Sequence, residues 1–155
     1  MAMMTERTAA TLGIANLPAA AIGLLERVPV AIPQLIFRLA LANVFFRSGL
    51  TKLASWDTTI LLFENEYHVP LLPPELAAYL ATAVELAAPV ALVLGLGTRF
   101  AAAAMLGMTL VIQIFVYPGS YPDHLLWAGP LLLLVLRGAG AWSADAFLRR
   151  KFIAD

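Results

Sequence analysis

The chain has 155 residues, 61% of them hydrophobic and 13% charged, with a mean hydropathy of +0.84. A soluble domain of this size has nowhere to bury so much apolar surface, so the composition asks for lipid as solvent and one compact membrane domain. Ten basic and ten acidic residues cancel, which argues against a nucleic-acid partner, and the lack of Cys excludes disulfides, thiolate metal sites and a dithiol relay.

Residues 1–32 mix Glu6, Arg7, Glu26 and Arg27 with short apolar runs and lack a signal-peptide layout. Ile22, Leu24 and Leu25 hint at a helix on the inner leaflet. Four spans follow, at Pro33–Ala54, Pro74–Leu94, Arg99–Val116 and Tyr121–Leu136, each close to the ~20 residues a bilayer needs. Pro74 opens the second at the first helical turn, with Glu75 beside the positive end of the dipole. Gly95–Thr98 is a tight turn, and Gly129-Pro130 predicts a kink in the last span. Between the first two spans, Trp56, Ile60, Phe63 and Tyr67 recur at helical spacing, which predicts a short helix on the outer leaflet. Ser143 is placed to cap a final helix with Phe147 toward lipid and Arg149, Arg150 and Lys151 toward headgroups. The expected fold is therefore all-α: an integral membrane four-helix bundle over residues 33–150, with short interfacial helices on the outer side and at the C-terminus, and a tail over 151–155.

Positive charge gathers before the first span, at Arg99 and after the last span, whereas Asp57, Glu64, Glu66, Glu75 and Asp123 fall on the other side. The positive-inside rule then predicts a multi-pass cell-membrane protein with both termini in the cytoplasm.

Within the spans the strongly polar residues are Arg38, Asn43, Arg47, Lys52, Glu85, Gln113 and His124. Such groups are expensive in lipid and face the interior or pair. At 1.5 Å per residue, Glu85 lies about 16 Å and Arg47 about 10 Å below the outer helix ends. Depth therefore predicts an Arg47–Glu85 ion pair as the reactive centre, supported by Asn43. Lys52, Tyr79, Gln113 and His124 complete a ligand-binding cluster in the outer half. Arg38, much deeper, is expected to snorkel to inner headgroups. No His, Asp or Glu spacing supports a metal site. Met105 and Met108 share a face but read as core filler, and no haem or flavin is expected. Trp56, Tyr67, Tyr117, Tyr121 and Trp127 form an outer aromatic belt.

The stretches RLALANVFFRSGLTKL (Arg38–Leu53), ELAAPVALVLGLGTRFAA (Glu85–Ala102) and WSADAFL (Trp142–Leu148) together resemble the DoxX family of small four-helix bacterial membrane proteins. FENEYHVPLLPPELAAYLATAVEL (Phe63–Leu86) is similar to a branch found beside genes for copper-responsive modified peptides. The resemblance implies an inner-membrane bundle. Some relatives are linked to thiosulfate–quinone oxidoreduction and others to oxidative-stress complexes. Lys52, in an SG-x-x-K element, and Glu85 match the family pattern. The leading expectation is a subunit that binds a quinone or similar lipid-soluble molecule, with Arg47 and Lys52 on a ligand oxygen and Glu85 handing over a proton. The alternative is a non-enzymatic scaffold for a metal-stress or peptide-maturation system, acting through a protein partner or as a homo-oligomer. A transporter is less favoured, because no paired broken-helix repeat is visible.

Overall fold

A computed structural model describes residues 17–152, which are helical and turn-forming without a strand. The elements are α1 (Leu17–Glu26), α2 (Ala31–Ala54), α3 (Trp56–Leu62), α4 (Pro74–Leu94), α5 (Thr98–Val111), α6 (Tyr121–Arg137) and α7 (Ala144–Phe152). Two π-helical turns, Phe63–Tyr67 and Ile112–Val116, extend α3 and α5. Residues 33–54, 74–94, 98–116 and 121–137 thus carry the four long segments expected from hydropathy, and α1 takes up the Ile22–Leu25 hint. Residues 1–16, with Glu6 and Arg7, lie outside the described part, as do 153–155 of the expected tail.

The long helices pack in a cycle: α2 on α4, α4 on α5, α5 on α6, and α6 back on α2. Their shared core is Leu41, Phe45, Leu92, Met105, Leu131 and Leu134, all buried, with Ala88 and Ala102 allowing close approach. Met105 is core filler, as expected. Outside this core the surface is unusually apolar. Phe100 is 84% exposed and Leu126 71%, and Leu39, Leu80, Val90, Leu110 and Leu132 also face outward. Soluble monomers rarely expose so continuous a belt. Pro74–Leu94 and Thr98–Val116 are long and apolar enough to cross a membrane. Helix α2 has the length, at 24 residues, but carries Arg38, Arg47 and Lys52, and α6 has 17 residues.

The segment Trp56–Tyr67 is helical as expected, but its apolar face turns inward. Trp56, Ile60, Phe63 and Tyr67 cover Ala77, Ala78 and Ala81 at the start of α4. Small residues there leave a shallow face that four large side chains fill better than they would pack alone.

The opposite end is locked by hydrogen bonds. Gly95, at φ +68°, ends α4 with its own N–H on the Leu92 carbonyl and the Leu96 N–H on Ala91, a Schellman closure. Arg38 fills the remaining space. Its Nε donates to Leu92 O at 2.6 Å, Nη2 to Val93 O at 2.8 Å, and Nη1 to Ala139 O at 3.2 Å and Trp142 O at 2.8 Å. Arg38 is 1% exposed, so the expected snorkelling is replaced by an internal role. The carbonyls that end a helix have no helical donor, and the planar fork of Arg answers several of them at once. Asp145 caps α5 by accepting from Gly97 N at 2.8 Å and Thr98 N at 3.0 Å. Ser143 Oγ accepts from Ala146 N at 3.1 Å, the cap expected for α7. The WSADAFL stretch is thus a latch that fastens the C-terminal segment to α2, α4 and α5.

Candidate functional site

Glu85 sits mid-helix on α4, 3% exposed, and its partner is Lys52. The ammonium lies 2.8 Å from both carboxylate oxygens, so it straddles the carboxylate. Ser48, one turn below Lys52 on α2, closes the cluster. Its hydroxyl donates to Glu85 Oε1 at 3.1 Å and accepts from Lys52 Nζ at 3.1 Å. Oε2 has the ammonium nearby but no aligned hydrogen bond, which leaves it an open acceptor.

The SG-x-x-K spacing explains this geometry. Ser48 and Lys52 are four apart and share a face. Gly49 between them lets the helices touch: a Cβ there would meet Leu86 Cδ2 at 2.8 Å, Leu86 Cγ at 3.0 Å and Glu85 Cβ at 3.1 Å. Helical side chains lean toward the N-terminus, so Lys52 reaches back down α2 to the level of Glu85.

The expected Arg47–Glu85 pair does not form. Arg47 and Asn43 are exposed on the other flank of α2. Depth placed Arg47 well, but one residue turns a helix by about 100°, and Arg47 is one position from Ser48 on the wheel. Both residues line a separate outward groove between α2 and α4.

A cavity of about 390 Å³ opens beside the Lys52–Glu85–Ser48 cluster, in the size range of small-molecule sites. Its walls are mostly apolar, with Phe45, Val84, Met108 and Ile112 among them. Phe45 packs edge-on against Trp127 at 5.6 Å, and both rings border the space. A second polar group on the lining is His124, 5% exposed, on α6. Gln113 stands behind it. The Gln113 Nε2 donates to Pro118 O at 2.8 Å, which turns Oε1 toward His124 Nδ1 at 2.7 Å. In the neutral ring this arrangement puts the proton on Nδ1 and leaves Nε2 bare. The π-helical turn carries Gln113, and a π turn shifts side chains off the α register.

Tyr67 and Tyr117 close one end of the cavity, their rings 5.7 Å apart and nearly perpendicular. The Tyr117 hydroxyl donates to Glu66 Oε1 at 2.5 Å. That hydrogen bond, and burial after it, holds the phenol above the ordinary tyrosine range. Tyr79, expected in the cluster, is half exposed, stacks on Trp56 at 4.7 Å and is not part of the lining. Of the expected site residues, then, Lys52, Glu85 and His124 meet at one cavity with Gln113 behind. Arg47, Asn43 and Tyr79 lie elsewhere. Ser48, Tyr117 and Trp127 were missed as site residues, although the four-residue step from Ser48 to Lys52 was a readable sign of the first.

A family model described as DoxX matches residues 34–118. The match contains Ser48, Lys52, Glu85 and Gln113 and stops short of His124 and Trp127. An uncharacterized protein of Haemophilus influenzae is 30% identical over 133 residues, covering 76% of this chain and 84% of that protein. No solved structure matches.

Proposed function

The chain belongs to the DoxX family, and on that footing we propose that it is a multi-pass cell-membrane subunit that binds a quinone or similar lipid-soluble molecule in the cavity beside Glu85. The observation that carries this reading is a chemical one. An apolar, aromatic-walled space of about 390 Å³ meets a buried cation–carboxylate pair and a histidine with a bare ring nitrogen. Such a lining suits a flat hydrophobic ring with oxygen substituents and rejects a charged metabolite, because its own charges cancel.

In this reading α2, α4, α5 and α6 cross the bilayer, and the exposed apolar belt meets lipid. Arg99, Arg137, Arg149, Arg150 and Lys151 lie at the end that faces the cytoplasm. The cavity then falls in the outer half, with Glu85 about 16 Å below the outer end of α4. Lys52 Nζ, which can make three hydrogen bonds, donates to a ligand oxygen while Glu85 and Ser48 keep it in place. His124 Nε2 accepts from a ligand hydroxyl, and Gln113 holds the tautomer that makes this available. Phe45 and Trp127 supply ring contacts. With no Cys in the chain, a dithiol cannot supply electrons, so any redox work draws on a partner protein or a soluble donor.

The test is to purify the protein in native-lipid particles, extract it and measure bound quinone by mass spectrometry. Near-stoichiometric quinone is expected in wild type and a loss in Glu85→Gln and Lys52→Met. A folded wild-type protein without quinone refutes the reading and favours a scaffold that acts through protein contacts.

A further inference from the structure

The cavity beside Glu85 has a side window between α4 and α5. On its inner side the two helices share the core through Ala88, Leu92, Ala102 and Met105. On its outer side the turn that follows α3 bridges them: Tyr67 meets Tyr117 at 5.7 Å, and Glu66 accepts from the Tyr117 hydroxyl. Between these two closures the lining on this side is Leu80, Ala81 and Val84 of α4 and Met108, Val111 and Ile112 of α5. All six are apolar. Leu80 is 49% exposed and Val111 and Ile112 are half-buried, so the cavity meets the outer surface here. Across the bundle, Phe45 and Trp127 pack against each other between α2 and α6, and Val44 is the exposed lining residue on that side.

Depth decides what the window faces. Helix α4, at 21 residues, is about 31 Å long, close to the hydrocarbon thickness of a bilayer. Leu80 lies about 9 Å below its outer end, and Val111 roughly 8 Å below Val116. In the membrane reading above, the window therefore opens among acyl chains and not at headgroups. Glu85, with Lys52 Nζ and Ser48 on its carboxylate, is about 7 Å deeper than Leu80.

We infer that the ligand enters sideways from the outer leaflet through this window and leaves a long hydrocarbon tail in it. The oxygen-bearing ring sits at Lys52 and Glu85, and the tail passes between Leu80 and Val111 into the bilayer. At about 390 Å³ the cavity is at the small end of ligand pockets, so a ring fills most of it and a long tail has to leave. The outer end is bridged by the Tyr117–Glu66 hydrogen bond, and a tail that left there would meet a carboxylate and water. At the window a tail passes from apolar side chains to acyl chains and strands no polar group. The ligand class is then a quinone with a long isoprenoid or alkyl tail, not a short water-soluble one. The window rests on the quinone reading and adds the route and the tail.

The experiment uses the full chain in bilayer discs and a benzoquinone whose alkyl tail carries a diazirine a few carbons from the ring. Light converts the diazirine to a carbene that inserts into the nearest side chain, and mass spectrometry of the digest locates it. Label is expected on Leu80, Val111 and Ile112. The same quinone without a tail, at ten times its Kd, should lower that label about tenfold by occupying the ring site. Label that is competed in this way but falls on Val44, or on Leu72 and Tyr117, would place the exit elsewhere and overturn the window while the quinone reading stands. Label that the tailless quinone lowers nowhere refutes the quinone reading, and the window with it. Leu80→Trp gives a second measurement. It should weaken binding of the tailed quinone roughly tenfold, by overpacking the window, and leave the tailless one unchanged. Unchanged binding of the tailed form would overturn the assignment.

Discussion

Removing the ammonium from the buried pair tests whether Lys52 and Glu85 act as a unit. Lys52→Met keeps the length of the side chain and most of its apolar stem. It leaves Glu85, whose side chain is 5% exposed, with the Ser48 hydroxyl as its remaining polar neighbour. The intact attraction is large: two contacts of 2.8 Å correspond to about 6 kcal/mol at an effective dielectric of 20. Desolvation of both groups offsets much of this, so the pair is worth little against a well-packed apolar pair, but breaking it from one side costs about 3–5 kcal/mol. Glu85→Gln should cost less. Its amide oxygen still accepts from Lys52, and Lys52, at 16% side-chain exposure, can turn toward the cavity. The double variant, Lys52→Met with Glu85→Gln, removes the stranded carboxylate and should be more stable than Lys52→Met alone, with a coupling energy of about 2–3 kcal/mol. Unfolding in mixed micelles, followed by circular dichroism, measures all four corners of the cycle. Strictly additive costs would refute the pairing. A double variant restored in stability but still empty of ligand would separate the structural role of the pair from its binding role.

Gly49→Ala should push α2 from α4, since the new methyl meets Leu86 Cδ2 at 2.8 Å, at a cost of about 1–3 kcal/mol. Ligand retention should fall with it, because Ser48 and Lys52 move together; unchanged unfolding would contradict the close approach. Arg38→Met strands the carbonyls of Val93, Ala139 and Trp142 and leaves Leu92 O with the Gly95 N–H alone, and each hydrogen bond from a charged donor is worth about 1.5–3 kcal/mol, so this should be among the most damaging substitutions when unfolding is measured. Tyr117 should ionise above the ordinary tyrosine range in an ultraviolet titration. Its raised pKa gives stabilisation that is full below the ordinary value of 10.0 and is lost as pH climbs above it, and Tyr117→Phe should remove that alkaline component.

What could be read from the sequence follows from which coordinate each signal encodes. Hydropathy and Pro/Gly punctuation encode position along the chain, and there the reading was close: Pro74–Leu94 coincides with α4, and Gly95 ends it through a left-handed turn that only a residue without Cβ fits beside Arg38 and Ser143. Counting residues from a helix end encodes depth, and it brought Lys52, Glu85, Gln113 and His124 to one half of the molecule. Neither signal encodes azimuth. Arg47 lies about 7 Å nearer the level of Glu85 than Lys52 does, so depth favours Arg47, but the two point to different flanks of α2 and only the Lys52 flank faces α4 at Glu85. The missing information lay in a local pattern, Ser48 and Lys52 four apart around Gly49. A small residue marks the line where two helices touch, and the polar side chains beside that line are the ones that face the neighbour. Arg38 failed for a different reason. Its acceptors include the Ala139 and Trp142 carbonyls, more than 100 positions away in the chain, and no local pattern announces that the C-terminal segment returns to α2.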